Sequence, residues 1–161
     1  MSKTLVTVYR IIGIFVSLFS YLLLFLFLVA FFQVGVQGMM LLGLFLTACM
    51  VLYSVLSGMF ARLVLIMGQP MRYSLKDWIK VNTIVSLIFS CLAVISISSA
   101  LASPAQINLI IQQYPPEMRP NEAMKSELLS VLKGILVICA LTAVHCVWTL
   151  RLVRRYREYF K

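Results

Sequence analysis

Most of the residues that could do chemistry in this sequence carry hydroxyl groups. Ser17, Tyr53, Ser86 and Thr142 occur one in each of the four most apolar stretches. With about 1.5 Å of rise per helical residue, all four fall about 7 to 12 Å from the same edge of a membrane. Such a layer can line a small polar binding pocket. It can also hold helices together, because a hydroxyl in lipid needs a hydrogen-bond partner. The spacing favours the second interpretation and leaves the first open.

No metal or cofactor is predicted. His145 is the only histidine, so one chain cannot supply two histidine ligands to a haem. Its neighbour Cys146 points about 100° away around a helix. The other cysteines, Cys49, Cys91 and Cys139, also lie in apolar stretches without a CxxC spacing, which argues against a disulfide framework and against thiol exchange. We expect His145 near one membrane interface, with a polar partner.

Acidic residues are absent from the centres of the apolar stretches. Proton-coupled carriers usually hold an ionisable group within the membrane, and acid–base catalysis at depth would require carboxylates there. The distribution counts against both activities, unless a partner subunit supplies the charge. The acidic residues are Asp77, Glu117, Glu122, Glu127 and Glu158.

The elements that must position these residues are membrane spans. Hydrophobic residues make up 62% of the 161 residues and charged residues 12%, with a mean hydropathy of +1.00; a soluble domain carries about a quarter charged residues. Crossing about 30 Å of hydrocarbon takes about 20 helical residues. The sequence predicts one all-α membrane domain over residues 1–161, with spans at about 11–32, 39–60, 81–101 and 128–150. The first apolar run is too long for a cleaved signal peptide.

Short connections predict an antiparallel four-helix bundle. The second helix is expected to continue to residue 67, because Gly68-Gln69-Pro70 follows and ends it. A cytoplasmic loop over 68–77 then leads to a helix capped by Ser74. An external loop over 102–123 is expected to hold a short interfacial helix, and the fourth helix is expected to continue into a basic tail over 151–161.

Basic residues set the predicted orientation. Eleven of them belong to the N-terminal segment, the second connection or the tail, so the positive-inside rule places both termini in the cytoplasm. Tyr9, Trp78 and Trp148 would form the aromatic belt on that side. Arg62 leans into the bilayer and needs a lipid phosphate or a carbonyl as partner. Contact with anionic lipid headgroups is predicted for Arg62, Arg72, Lys76, Lys80, Arg151, Arg154, Arg155 and Arg157. Nucleic acid is not an expected partner, because these cations flank apolar spans.

Three functions remain open on the sequence alone. The leading prediction is a non-enzymatic accessory or scaffold component of a membrane complex, with membrane lipid and either a membrane protein or a second copy as partners. Small-xxx-small pairs such as Gly13 with Ser17 and Gly43 with Thr47 suit close helix packing. A small homo-oligomeric carrier or channel around the hydroxyl layer is the second. A lipid-modifying enzyme is the least favoured. Compact loops and the charge excess favour a bacterial inner membrane.

Overall fold

Four long α-helices make up most of the part of the chain that the structure describes. The structure, a computed structural model, describes residues 3–34, 37–103 and 122–161. Helix α1 covers Lys3–Val34, α2 Gly38–Phe60, α3 Tyr73–Ala102 and α4 Glu122–Arg155. The all-helical class expected from composition is confirmed for these residues. The interfacial helix predicted within the 102–123 loop lies outside the described residues.

All four helices are long and apolar enough to cross a membrane. The candidate spans are Lys3–Gln33, Met40–Ile66, Tyr73–Ala102 and Met124–Arg155, with mean hydropathies between 2.1 and 2.7. Large apolar side chains face outward along them; Leu18, for example, is 69% exposed. In water such a surface would be unstable, whereas lipid is a suitable solvent for it. The fold therefore indicates a small multi-pass integral membrane protein.

The helices run antiparallel, and four of their ends meet in one hydrophobic cluster. Tyr9 near the start of α1, Phe60 at the end of α2, Ile79 near the start of α3 and Leu152 near the end of α4 all belong to this cluster. Helix α3 packs mainly against α4, and α1 mainly against α2. Because most of the basic residues of the chain lie in the same segments, we call this the basic end of the bundle.

Helix α2 widens before it ends. Residues Ala61–Ile66 continue it as a π-helix, in which the Met67 amide donates to the Arg62 carbonyl over 3.1 Å. Gly68 then takes a φ of 63°, a left-handed conformation that costs glycine little. This allows the Gln69 amide to turn back to the Leu63 carbonyl, at 2.8 Å. Arg62 thus lies within a π-helical turn, a feature common at functional sites.

The basic tail docks onto the α2–α3 connection. Helix α4 ends at Arg155 and a single 3₁₀ turn, Arg157–Tyr159, follows. The Met71 amide donates to the Tyr159 carbonyl at 2.7 Å, and the Lys161 amide to the Met71 carbonyl at 3.0 Å. Phe160 is buried and stacks on Phe60, with ring centroids 6.0 Å apart. The fourth helix thus continues into the tail as expected, but only to Arg155, because a buried ring and backbone pairing favour a turn beyond that residue.

The start of α3 also differs from the expectation. The helix begins at Tyr73, and its N-cap residue is Arg72, with no side-chain cap hydrogen bond. Ser74 therefore lies inside the first turn and does not cap it. The neighbouring Tyr73 amide is instead bonded to the Lys161 carbonyl, at 2.9 Å. The docked tail therefore provides a hydrogen-bond acceptor for an amide at the start of α3, where the sequence predicted a serine cap.

Candidate functional site: a buried histidine beside a basic cleft

Three helices bring a polar cluster together at the basic end. Tyr9 comes from α1, Tyr53 from α2, and His145 and Thr149 from α4. The two α4 residues are four apart, so they share one face of the helix. All four side chains are at most 1% exposed. Burial of this kind requires hydrogen bonds, because an unpaired polar group in an apolar interior is costly.

The cluster meets that requirement through Thr149. Its hydroxyl lies 2.8 Å from the Tyr9 hydroxyl, 3.0 Å from the Tyr53 hydroxyl and 2.8 Å from the His145 carbonyl oxygen. The Tyr53 hydroxyl also lies 2.5 Å from Nδ1 of His145. The imidazole stacks on the Tyr9 ring, with centroids 4.4 Å apart and planes at 21°. We call Tyr9, Tyr53, His145 and Thr149 the histidine network.

One ring nitrogen is left over. Nε2 of His145 is buried and makes no hydrogen bond with any residue that the structure describes. A Cβ atom added at Gly13 would lie 3.3 Å from this nitrogen. The backbone of Tyr9 also faces the ring, without reaching hydrogen-bond geometry at Nε2. The absence of a side chain at Gly13 therefore leaves room for a small group beside Nε2, at the edge of the space between α1 and α2.

That space is a cleft of about 490 Å³ between α1, α2 and the π-helical turn. Arg10 and Arg62 line it with exposed side chains, and His145 forms part of its wall. No acidic side chain is among the described residues that line it. Apolar side chains complete the wall, including Ile14, which is 64% exposed. The cleft thus combines two uncompensated cations with a surface suited to hydrocarbon.

The serines in the cleft direct their protons to their own helices. Ser17 donates to the Gly13 carbonyl at 2.9 Å, Ser54 to the Val51 carbonyl at 2.9 Å. Ser57 donates to the Ser54 carbonyl at 3.0 Å. Each oxygen still has acceptor capacity, but Ser54 and Ser57 are buried, so the half-buried Ser17 is the serine best placed to accept from a ligand. No serine hydroxyl of the described chain is hydrogen-bonded to His145, so no nucleophile–base pair is formed there.

The predicted hydroxyl layer is distributed over different surroundings. Ser17 lines the cleft, whereas Tyr53 belongs to the histidine network. Thr142 donates to the Ile138 carbonyl of its own helix at 2.9 Å. Ser86 is buried, and its hydroxyl has no partner among the described residues. No hydrogen bond given for the described residues joins any two of the four, and their joint role in binding stays a prediction.

The predicted lipid-contact residues all lie at the basic end. Arg62 lines this cleft, and Arg151 lines a second one of similar volume beside Trp148. Lys76 lies over the Tyr73 ring at 5.1 Å, and Lys80 is 3.9 Å from the Asp77 carboxylate. Headgroup contact itself stays a prediction. Exposed side chains are found at Arg62, Arg72, Arg151, Arg154, Arg155 and Arg157, and Lys76 and Lys80 are half-buried.

Three members of the site were not predicted from the sequence. Tyr9 was assigned to an aromatic belt, Gly13 to helix packing, and Thr149 to no role. A four-residue spacing links Tyr9, Gly13 and Ser17 on α1, and the same spacing links His145 and Thr149 on α4. That periodicity was visible. The pairing of helix faces was not visible in the sequence, because it depends on how the helices are rotated against each other.

The fold and the site define a small all-α, multi-pass membrane protein with a basic cleft at one end. Comparisons with protein-family models, with curated proteins and with solved structures found no match. The described residues include no group of three or more His, Cys, Asp or Glu side chains that could hold a metal ion.

Proposed function

We propose that the protein is a non-enzymatic accessory or scaffold component of a membrane complex, and that it binds an anionic lipid headgroup in the cleft between α1 and α2. The observation that carries the proposal is the pair Arg10 and Arg62, which line one apolar cleft without an acidic side chain among its described lining residues. An anionic amphiphile matches both properties.

The two guanidinium groups suit a phosphate. Arginine presents a planar set of donors that pairs with phosphate oxygens in a bidentate manner. A basic residue near an anionic membrane contributes about 1 kcal/mol. Arg62 lies in the π-helical turn, and its side chain is exposed on the cleft. A lipid phosphate there supplies the partner that this residue needs at the membrane interface.

The hydrogen bonds of the serine and tyrosine hydroxyl groups agree with a binding role rather than a catalytic one. The serine hydroxyls of the cleft donate to carbonyls within α1 and α2, and the tyrosine hydroxyls belong to the histidine network. A catalytic serine would instead need a base within hydrogen-bond reach. A carrier would need a wet path, and of the four layer hydroxyls Ser17 lines this cleft. These observations favour a binding role over the two alternatives.

The proposal includes an orientation and a membrane. The basic end faces the cytoplasm, where anionic lipids give the leaflet a negative surface potential. Arg72, Arg154 and Arg157, all exposed, would add to the attraction outside the cleft. A bacterial inner membrane supplies such lipids. A partner protein or a second copy would pack against the apolar outer faces of the helices.

Lipid retention tests the proposal. The full chain is reconstituted with phosphatidylcholine and phosphatidylglycerol, delipidated gently, and bound lipid is counted by native mass spectrometry. We expect Arg10→Gln and Arg62→Gln each to weaken phosphatidylglycerol retention about fivefold, from about 1 kcal/mol per cation. Lys133→Gln removes the same charge from the middle of α4, away from the cleft residues, and serves as the control. Equal retention by wild type and the double arginine variant would overturn the proposal.

A further inference from the structure

The four short contacts of the histidine network, three of them at Thr149, define where each of its protons lies. The His145 carbonyl can only accept, so the Thr149 hydroxyl donates to it. The Thr149 oxygen must then accept from both Tyr9 and Tyr53. With its proton used in this way, the Tyr53 oxygen accepts from Nδ1 of His145. This is the single assignment that places one proton in each of the four contacts.

The assignment makes Nε2 an acceptor. A neutral imidazole carries one ring proton, and placing it on Nδ1 leaves a lone pair on Nε2. The neutral form suits the site, because the ring is 1% exposed and no acidic side chain is among the described residues lining the cleft. Nε2 has no hydrogen-bond partner among the described residues. It is a buried acceptor without a donor, next to the room that the missing side chain of Gly13 leaves.

The donor must come from a neutral group. An ammonium headgroup would be repelled by Arg10 and Arg62, which line the same cleft. A hydroxyl is a donor without that penalty. Gly13 lies three residues beyond Arg10 on α1, about 4.5 Å along the helix axis. A phosphate at Arg10 therefore places a hydroxyl of a short headgroup within reach of Nε2.

We infer, on the basis of the proposed anionic-lipid function, that the cleft selects a phospholipid whose headgroup bears a hydroxyl, with His145 Nε2 accepting from that hydroxyl. Phosphatidylglycerol has this chemistry. The lipid, and not its free headgroup, is the ligand, because Ile14, Ile66 and Met67 line the same cleft with 64%, 49% and 48% of their surface exposed. These apolar side chains suit an acyl chain.

Two lipids of equal charge test the inference. Phosphatidylglycerol and phosphatidylmethanol both carry one phosphate charge, and the second has no headgroup hydroxyl. We expect wild-type protein to retain phosphatidylglycerol about two- to tenfold more tightly, the range of one net hydrogen bond. Gly13→Ala places a methyl group against Nε2 and should reduce this preference to about one, by the same loss of one hydrogen bond. Gly134→Ala, where an added Cβ meets nothing within 4 Å, is the control and should retain it.

The sole histidine gives a second readout that needs no variant. With ¹⁵N-labelled histidine, the imidazole spectrum contains signals of His145 alone. We expect an unprotonated Nε2 whose resonance shifts when phosphatidylglycerol is added and stays in place with phosphatidylmethanol. An Nε2 already protonated before lipid is added would overturn the inference, even if Gly13→Ala failed to fold.

The outcomes separate the inference from the function on which it rests. Equal wild-type retention of the two lipids, with both still dependent on Arg10 and Arg62, overturns the hydroxyl selection and leaves the anionic-lipid function standing. Retention that does not depend on the arginines overturns the function. Soluble glycerol phosphate should not displace bound phosphatidylglycerol; displacement would overturn the assignment of the lipid as ligand.

Discussion

Tyr53 contributes one hydroxyl to two contacts, with His145 Nδ1 and with Thr149. The variant Tyr53→Phe keeps the ring and leaves Nδ1 of His145 without its partner. We expect a loss of about 1 to 2 kcal/mol in the free energy of unfolding, since buried hydrogen bonds between membrane helices contribute modestly and an unpaired group adds its desolvation cost. Thermal unfolding in detergent measures this loss.

Tyr73→Phe is the matched control for that change. Tyr73 is 58% exposed and lies in the first turn of α3, so the same loss of a hydroxyl should change stability by less than about 0.5 kcal/mol. If Tyr53→Phe is as stable as Tyr73→Phe, the histidine network does not stabilise the bundle.

The site was only partly predictable at this scale. Arg62 and Tyr53 were found because depth and side-chain direction follow from position along a helix. The partnership of Tyr53 with His145 joins residues 92 positions apart. Periodicity shows which residues share a helix face, and it contains nothing about which face of another helix lies opposite. Tyr9 was therefore assigned to the lipid interface although it is 1% exposed.

The contact between α1 and α2 depends on the absence of a side chain at Gly43. A Cβ atom built there would overlap the ring of Phe27, closer than van der Waals contact permits. We expect Gly43→Ala to destabilise the bundle by about 1 to 3 kcal/mol, the usual cost of overpacking. Thermal unfolding in detergent would show it.

Gly38→Ala makes the same substitution at the start of α2, where an added Cβ meets nothing within 4 Å. Alanine is a better helix former than glycine by about 1 kcal/mol, so this control should be neutral or stabilising. Two glycine variants with the same small effect would mean that α1 and α2 can separate to accept the methyl group.

The tail and the α2–α3 connection form a second structural unit, held by Phe160. Phe160→Ala removes the ring that stacks on Phe60, and burial of a phenylalanine contributes about 1.5 to 3 kcal/mol. We expect the amides of Met71 and Lys161, which pair across this contact, to exchange with deuterium much faster. Mass spectrometry of the peptic peptides measures the rate.

Glu158→Ala changes an exposed residue of the same tail and should leave that exchange unchanged.

The docking itself was not predictable. Phe160 reads as part of a basic, aromatic stripe in the sequence, and a helix C-terminus gives no local sign that the chain turns back. The partner, Met71, lies far away along the chain. By contrast, the end of α2 and its π-helical turn before Gly68 followed from local chemistry, because glycine tolerates the positive φ found there.

For the whole molecule, the antiparallel bundle places both chain ends on one side. Cysteines introduced singly at Lys161 and Gln37, in a chain whose four native cysteines are replaced, test the proposed orientation. We expect an impermeant maleimide to label Gln37→Cys in intact cells and Lys161→Cys only after the membrane is opened. The reverse pattern would contradict a cytoplasmic basic end.

The architecture was the most predictable property, because it follows from solvent. Four runs of about 20 apolar residues with short connections leave few arrangements that satisfy every backbone amide in lipid. The cleft was not predictable, because it depends on the absence of a side chain at Gly13 and on the His145 ring, which α4 supplies. A hydropathy pattern describes the outside of such a bundle well, and its polar interior poorly.

The place of His145 in the chain has a consequence for biosynthesis. Helices α1, α2 and α3 are made, and can enter the membrane, before α4 delivers this ring. Until then, α1 and α2 form an open groove that has its two arginines and no Nε2 acceptor. The newly inserted chain would attract anionic lipid without distinguishing one headgroup from another. If the cleft selects its lipid through His145, headgroup discrimination would begin only when α4 is seated, and selectivity would then report that assembly is complete.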